Sequence, residues 1–415
     1  MHVEDYVSVA EAQRIISTFV TPRRRTELVK TVNAGGRVAA VDFMSPVSVP
    51  QFPMSHMDGY AVVASDLRES RRKPLLLKGE ARLGDRVTSI KSGESMRVPT
   101  GGRLPIGADA VVPVEEARKS GKMVYVSRDF REGDFTYAEG SDVRKGELIL
   151  AKGRAIRAQD VGMLLSLGAE EVKVFTRPRV AIIATGSELT NRRVSGKTRN
   201  SHTQIFANLI RDNGGEVVDF GIVPDKKMRI AASIEKALRE ADLVLTLGGT
   251  SLGRSDIVVP TVRSLAKGES VIHGIRLDRG RVMGVAAIKG KPIVMMPGPI
   301  QGAMNAFLIF ALPFMVSLSG ETHRLEPVVQ ARLAEKWEAR KRFRHFTKVL
   351  HVKLERRESG VEAQPIMGDT ESMRLLTNSD GFVVVPEETV ELRAGTRVSV
   401  RLLAGFSFVL GGFPF

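Results

Sequence analysis

The spacing of apolar residues changes several times along this chain, and each change marks a different kind of element. Val9, Ala12, Ile15, Ile16 and Phe19 recur every three or four positions, which predicts an amphipathic helix. Ser8 and Glu11 frame its start as a capping box, in which each side chain serves the other residue's amide. A second helical piece is expected over 26–33, stopped by Gly35 and Gly36, and Pro46, Pro50 and Pro53 mark an extended connection. From residue 60 to 126 the pattern becomes short and strand-like. Runs at 60–63, 75–77, 95–98, 110–112 and 123–126 lie between Gly, Pro and Asp turns. A strand at 149–150, a helix at 158–167 closed by Gly168, and an alternating strand at 170–175 follow.

The stretch 179–258 has another character. Residues 180–184 and 243–247 are continuous apolar runs, as strands buried on both faces require. Each run empties into a loop of Gly, Thr and Ser. Helices are expected at 201–212, 228–240, 256–265 and 301–319, with further strands at 216–220 and 292–296. Beyond residue 325 short strands return at 346–354, 381–385 and 398–403, with Trp337 as a packing residue. The expected fold is multidomain α/β plus β. A central doubly wound α/β domain (178–322) is joined by an N-terminal linker and helical module (1–45 with 139–177). An inserted β-rich domain (46–138) and a C-terminal β-barrel-like domain (323–415) complete it.

Composition narrows the possibilities. A hydrophobic fraction of 43% and a charged fraction of 26% are those of a soluble globular chain. No apolar run is expected to span a membrane, and the polar, acidic start lacks a signal-peptide core, which points to the cytoplasm. The absence of cysteine excludes disulfides, thiolate metal sites and a Cys nucleophile. A net charge of +15 suits a polyanionic small substrate or nucleic acid. The basic residues are scattered, however, and no nucleic-acid-binding motif is present, so nucleic acid is disfavoured.

In an open α/β sheet, ligands bind outside the carboxyl ends of the strands. That directs attention to Thr185, Gly186, Ser187 and Glu188 after the first buried strand. Asp225 follows the second, and Gly248, Gly249, Ser251, Gly253 and Asp256 follow the third. Pro297 and Gly298 follow a later one. Asp58 sits in an Asp-Gly turn, Thr100 beside two glycines, and Asp142 in a further turn; each is also an ordinary turn residue.

These loops, taken in order, resemble the molybdopterin molybdenumtransferase family, which includes the C-terminal domain of gephyrin. Met57-Asp-Gly-Tyr-Ala61, Pro99-Thr-Gly-Gly102, Gly140-Ser-Asp-Val-Arg-Lys-Gly146, Thr185-Gly-Ser-Glu-Leu189 and Gly248-Gly-Thr-Ser-Leu-Gly253 with Asp256 carry the likeness over essentially the whole chain. The resemblance implies that molybdate, or tungstate, is placed on the dithiolene of adenylylated molybdopterin, with Mg²⁺-dependent release of AMP. It also implies an elongated homodimer and contact with the preceding adenylyltransferase. Asp225 and Asp256 are then expected to hold the Mg²⁺–phosphate end, and Glu188 to position the pterin or a metal-bound water. Thr185, Gly186, Ser187, Gly248, Gly249, Ser251, Gly253, Arg281, Pro297 and Gly298 would bind substrate. Asp58, Thr100 and Asp142, from the partner subunit, would line the metal-insertion side, with Thr100 donating to an oxyanion.

Two stretches depart from the family's pattern. Gly274-Ile-Arg-Leu-Asp-Arg-Gly-Arg-Val282 stands where a lysine-rich segment is usual, with Arg281 in place of one lysine and Asp278 where another is common. Pro299 replaces an asparagine, which removes an amide side chain and a backbone donor. The alternative is therefore a non-catalytic or regulatory relative that binds pterin or nucleotide, and adenylyl transfer by the central domain is a further option.

Overall fold

The computed structural model describes residues 6–22, 24–68, 73–84, 88–250, 257–324, 326–358 and 360–403. The chain divides into two compact units, one comprising Met1–Ala40, Gly153–Ala158 and Glu171–Phe415, the other Val41–Lys152 and Gln159–Glu170.

The first unit is built on a six-stranded sheet. Its strands are β1 (Arg179–Thr185), β2 (Glu216–Val223), β3 (Leu243–Leu247), β4 (Val271–His273), β5 (Gly284–Ile288) and β6 (Lys291–Met296), in the order β2-β1-β3-β6-β5-β4. The first four in that order are parallel. β5 and β4 continue the sheet antiparallel, an extension the sequence pattern does not announce. Helices α1 (His202–Asp212), α2 (Lys227–Glu240), α3 (Val258–Ala266) and α4 (Ile300–Ser319) cover the sheet. The strand runs are continuously apolar because both faces are buried. Val180, Ile182, Leu243 and Leu245 pack with Phe206, Ile210 and Phe307 on one side. Ala181, Ile183 and Val244 pack with Ile230, Ile234 and Val262 on the other. Full burial of a side chain such as Phe206 contributes up to about 3 kcal/mol.

The N-terminal helix (Val9–Phe19) begins as expected, with the Glu11 amide donating to Ser8 Oγ at 3.1 Å. The capping box is only half made, because the Glu11 carboxylate accepts from Arg14 instead. Ala12 and Ile16 enter the core of the α/β sheet. The helix expected over 26–33 is corrected to a strand, Thr26–Lys30, ending in a short 3₁₀ turn. It pairs antiparallel with Glu171–Phe175, and its β-branched residues suit that partner better than a helix.

α4 is long and apolar enough to cross a membrane, contrary to the expectation from the sequence, but 67% of its apolar window is buried within the protein. Its middle, Phe307–Ala311, widens to a π-helix. Pro313 has no amide to donate to Ile309 four residues back. Gln13 Nε2, from the N-terminal helix, donates to that Ile309 carbonyl at 2.8 Å.

C-terminal to α4, Val328–Leu333, Gly360–Pro365, Lys348–Arg357, Gly381–Val385 and Arg397–Leu402 close into a five-stranded barrel. Trp337 fills its core with Leu333, Leu350 and Val400. His351, on the barrel, is fully buried against α4, and its Nε2 lies 3.2 Å from Asn305 Oδ1. Its Nδ1 has no partner among the described residues.

The second unit contains a six-stranded sheet in the order Ala110–Pro113, Gly59–Val62, Glu94–Val98, Leu75–Glu80, Met123–Val126, Ala117–Ser120. Tyr60 and Val62 face one apolar cluster and Ala61 the other, the period-two alternation of a strand covered on both sides.

Two measurements test this packing. Burial pushes the His351 imidazole down to about 4, with the Arg279 charge adding to the effect. The unfolded chain, near 6.5, takes up a proton between pH 6.5 and 4 that the native chain does not. Stability therefore falls as pH drops through that window, by on the order of 3 kcal/mol at full extent. His351→Gln should flatten the decline of the thermal midpoint between pH 7 and pH 5; an unchanged slope would refute this account. Gln13→Ala leaves the Ile309 carbonyl without its side-chain donor and should cost about 1–2 kcal/mol in a denaturant melt.

Candidate functional site

β1 connects through α1 to β2 on one side, and the chain then returns through α2 to β3 on the other. The ends of β1 and β3 therefore form the switch point where such sheets take ligands. Thr185 ends β1, buried, and its Oγ1 donates to the Leu247 carbonyl at 3.1 Å. Gly248 follows at φ +92°, where a Cβ would lie 2.9 Å from the Thr185 carbonyl oxygen. Gly249, at φ +65°, would place a Cβ 2.6 Å from Val258 Cγ2. Both positions need glycine, for left-handed backbone and for close approach.

The loops after β1 and β2 clasp each other. The Ser187 amide donates to Asp225 Oδ2 at 2.9 Å, and the Asp225 amide donates to Ser187 Oγ at 3.1 Å. Lys197 Nζ donates to the Ser187 carbonyl at 2.8 Å.

These loops surround a cavity of about 530 Å³. Thr185, Gly186, Glu188, Asp225, Gly248, Gly249 and Gly298, all singled out in the sequence, line it, whereas Ser187 does not. Pro297 is buried immediately before Gly298 and is not part of the wall. Ser251, Gly253 and Asp256 lie outside the described residues.

Several further lining residues were not anticipated, and three of them carry a charge or an imidazole. Arg199 and His202 come from the approach to α1 and its first turn, and Glu371 comes from the barrel side. The Glu371 loop is anchored where the Gln301 amide donates to the Thr370 carbonyl at 3.0 Å. Burial lowers the pKa of His202, while the nearby Glu371 charge acts the other way. His202 directly follows a polar Asn-Ser pair at a helix start, a faint signal in the sequence; Glu371 offers none.

The cavity therefore presents three carboxylates against one guanidinium and an imidazole. Mg²⁺ commonly takes one or two carboxylates, the remaining positions going to phosphate oxygens and water. Asp225 with Glu188 or Glu371 fits that donor set. Among the described residues no three His, Asp or Glu side chains form a complete metal cage.

Arg281 does not line this cavity. Its guanidinium lies over the Phe343 ring, 5.2 Å from the centroid. Its neighbours engage the barrel side: Arg276 pairs with Glu387 at 3.4 Å, and Asp278 pairs closely with Arg340. Arg279, at φ +54°, donates to Gln301 Oε1 at 2.6 Å, and burial lowers its pKa. Arg279, Gln301, Arg340, Lys348 and His351 help to line a second, small cavity of about 40 Å³. Lys348 is committed to the carbonyls of Arg344, Pro386, Glu387 and Thr389.

In the second unit, Asp58 and Thr100 are brought together. Asp58 Oδ1 accepts from the Thr100 amide at 2.6 Å and from the Thr100 hydroxyl at 2.9 Å. These two bonds, the backbone one first, hold the Asp58 carboxyl below its ordinary range. The Thr100 hydroxyl thus donates to Asp58. Asp142 is exposed on the 140–146 turn, held by its amide bond to the Val49 carbonyl.

Glycine turns and carboxylates at the switch point of a doubly wound sheet, followed by a closed barrel, define a multidomain α/β plus β protein with a ligand site at the carboxyl edge of its sheet. Residues 7–168 match the family described as "MoeA N-terminal region (domain I and II)". Residues 181–316 match "Probable molybdopterin binding domain", and 330–403 match "MoeA C-terminal region (domain IV)". The chain belongs to the molybdopterin molybdenumtransferase family.

It is 29% identical over 406 residues to molybdopterin molybdenumtransferase 2 of Mycobacterium tuberculosis, covering 95% of this chain and 98% of that one. It is 26% identical over 423 residues to the molybdopterin molybdenumtransferase of Staphylococcus epidermidis, covering 97% of each. A crystal structure of the molybdopterin biosynthesis MoeA protein of Pyrococcus horikoshii superposes with a TM-score of 0.83 at 29% identity, covering 97% of this chain and all of that one.

Gly248→Ala tests the crowding at the switch point. Strained left-handed backbone and the approach to Thr185 should cost about 1–3 kcal/mol of stability. Gly268→Ala, also left-handed at φ +96° but with open space around its Cβ, should cost less. Equal losses in thermal melts would show that the contact with Thr185 contributes nothing.

Proposed function

We propose that this chain transfers a metal, molybdenum from molybdate or tungsten from tungstate, to the dithiolene of adenylylated molybdopterin. In the same process the diphosphate is cleaved and AMP is released. The observation that carries this reading is the run of three matching regions, in order, over a switch-point cavity with paired glycine turns and carboxylates. Amides at strand–helix turns suit a diphosphate. Gly248 and Gly249 let the backbone approach it closely, and Asp225 with Asp256 would hold Mg²⁺ there. When bound, the divalent ion supplies charge neutralisation between the phosphates and the acidic wall. Glu188 orients the pterin end or a water. Asp58, Thr100 and Asp142 serve metal insertion. With the Thr100 hydroxyl already given to Asp58, the free oxyanion is better matched by the small cavity beside Arg279, Gln301 and Arg340.

We also propose that the enzyme works in the cytoplasm as a homodimer and takes its substrate from the preceding adenylyltransferase. The half-buried apolar residues Leu312, Phe314, Val316 and Leu318 on α4 offer it a contact surface. A monomer by light scattering at micromolar concentration would refute the dimer.

The decisive assay is AMP release from adenylylated molybdopterin with Mg²⁺, titrating molybdate and then tungstate. Release that depends on one oxyanion is expected. Asp58→Asn and Asp225→Asn should each lower kcat/KM roughly 10- to 100-fold. Arg279→Ala should raise the oxyanion concentration needed for half-maximal release. Tight substrate binding without release would instead favour a non-catalytic relative, consistent with Arg281 lying on Phe343.

A further inference from the structure

The segment around Asp58 carries a surface that the transfer chemistry does not account for. Met54–Ser55 is the middle strand of a small three-way arrangement. Thr136–Tyr137 pairs antiparallel on one flank, with Tyr137 opposite Met54. Arg103 forms a bridge to Met54 on the other flank. Residues directly opposite each other across a strand pair share a face. Tyr137, Met54 and Arg103 therefore form one row.

Phe52 and His56, two residues either side of Met54, lie along the same face by the two-residue strand period. The side chains agree with that placement. The His56 and Tyr137 rings have centroids 4.8 Å apart, tilted by 58°. The Arg103 guanidinium lies over the Phe52 ring at 4.4 Å. His56 and Arg103 are exposed, and Tyr137 is 44% exposed. The surface therefore offers ring faces at one end, a thioether in the middle and a guanidinium at the other end. The span between flanking strands is roughly 10 Å.

The frame is fixed by backbone bonds. The Ser55 amide donates to the Gly102 carbonyl at 2.8 Å, and the Gly101 amide donates to the Ser55 carbonyl at 2.8 Å. The His56 amide donates to the Phe135 carbonyl at 2.9 Å. Asp58, two residues beyond His56, spends Oδ1 on both Thr100 bonds, which leaves Oδ2 for a ligand N–H among the described contacts.

We propose that His56 and Tyr137 are a stacking platform for a planar nitrogen heterocycle, with Arg103 taking the phosphate attached to it. This rests on the transferase reading for the identity of the ligand, which carries two such heterocycles, adenine and pterin. Stacking on exposed rings is tolerant of which heterocycle arrives, whereas a guanidinium at the far end selects for the phosphorylated form. Aromatic residues that cost little entropy to order are well suited to the task.

The test uses the full-length protein and two probes, AMP and neopterin. Titration follows pterin fluorescence, with AMP read by calorimetry. Tyr137→Ala should weaken binding of one probe about 5- to 100-fold. Tyr137→Phe should keep most of the affinity, because the ring and not the hydroxyl is used. His56→Ala, on the neighbouring strand, should weaken the same probe and provides an independent check if Tyr137→Ala melts early. Arg103→Ala should weaken AMP more than adenosine.

Loss confined to AMP would place adenine on the platform; loss confined to neopterin would place the pterin there. Unchanged affinity for both probes in Tyr137→Ala and His56→Ala, or no binding of either by the wild type, would overturn the platform. An enzyme that releases AMP normally with Tyr137→Ala and unchanged affinities keeps its transferase assignment and loses the platform. A protein that never releases AMP yet shows ring-dependent binding keeps the platform and loses the transferase assignment.

Discussion

One crowded contact sets the geometry on which the central domain depends. Thr185 and Leu247 end adjacent parallel strands, and the Thr185 hydroxyl ties the two ends together inside the core. Both chains must leave that point in different directions. Gly248 and Gly249 make the departure possible because a side chain on either would strike Thr185 or Val258. The cavity between the diverging loops follows from strand order, and the two glycines line it with bare backbone.

Charge is distributed unevenly around this geometry. The chain is strongly basic overall, which draws polyanions toward it. The cavity wall is acidic on balance, with Glu188, Asp225 and Glu371 against Arg199 and His202. A diphosphate entering it meets repulsion unless a cation arrives with it. The guanidiniums of the 274–282 stretch lie instead toward the barrel, where Arg279 and Arg340 flank a much smaller space. The two compartments thus differ in charge: in the smaller one Arg279, Arg340 and Lys348 outnumber Asp278 and Glu338.

Strands 180–184 and 243–247 were legible because burial on both faces leaves an uninterrupted apolar run with a Gly-rich exit. Glu188, after the first of them, and Asp225, after the neighbouring strand, were legible as cavity-lining carboxylates by position alone. The strand Thr26–Lys30 was not, because its partner lies some 145 residues further along and the local run, free of Gly and Pro, also suits a helix. Glu371 was invisible for the same reason: it reaches the cavity from a barrel loop whose anchor is a backbone bond to Gln301. Arg281, grouped with the cavity residues by analogy of charge, does not line the cavity. The ring of Phe343 holds it, and no spacing rule reports a cation over a distant aromatic. Long-range partners, more than element types, were what the linear pattern withheld.

The bond from Gln13 to Ile309 joins residues 296 positions apart. In a growing chain the donor is made near the beginning and must wait for almost three hundred residues before its acceptor exists. The N-terminal helix thus cannot be finished as a local structure, nor can α4 with its π-helical middle. Each completes the other only once the whole α/β domain has been synthesised. Non-local closures of this kind slow folding. During translation the apolar faces of Ala12 and Ile16 stay exposed, so the first helix of this protein is among the last of its parts to be protected from aggregation.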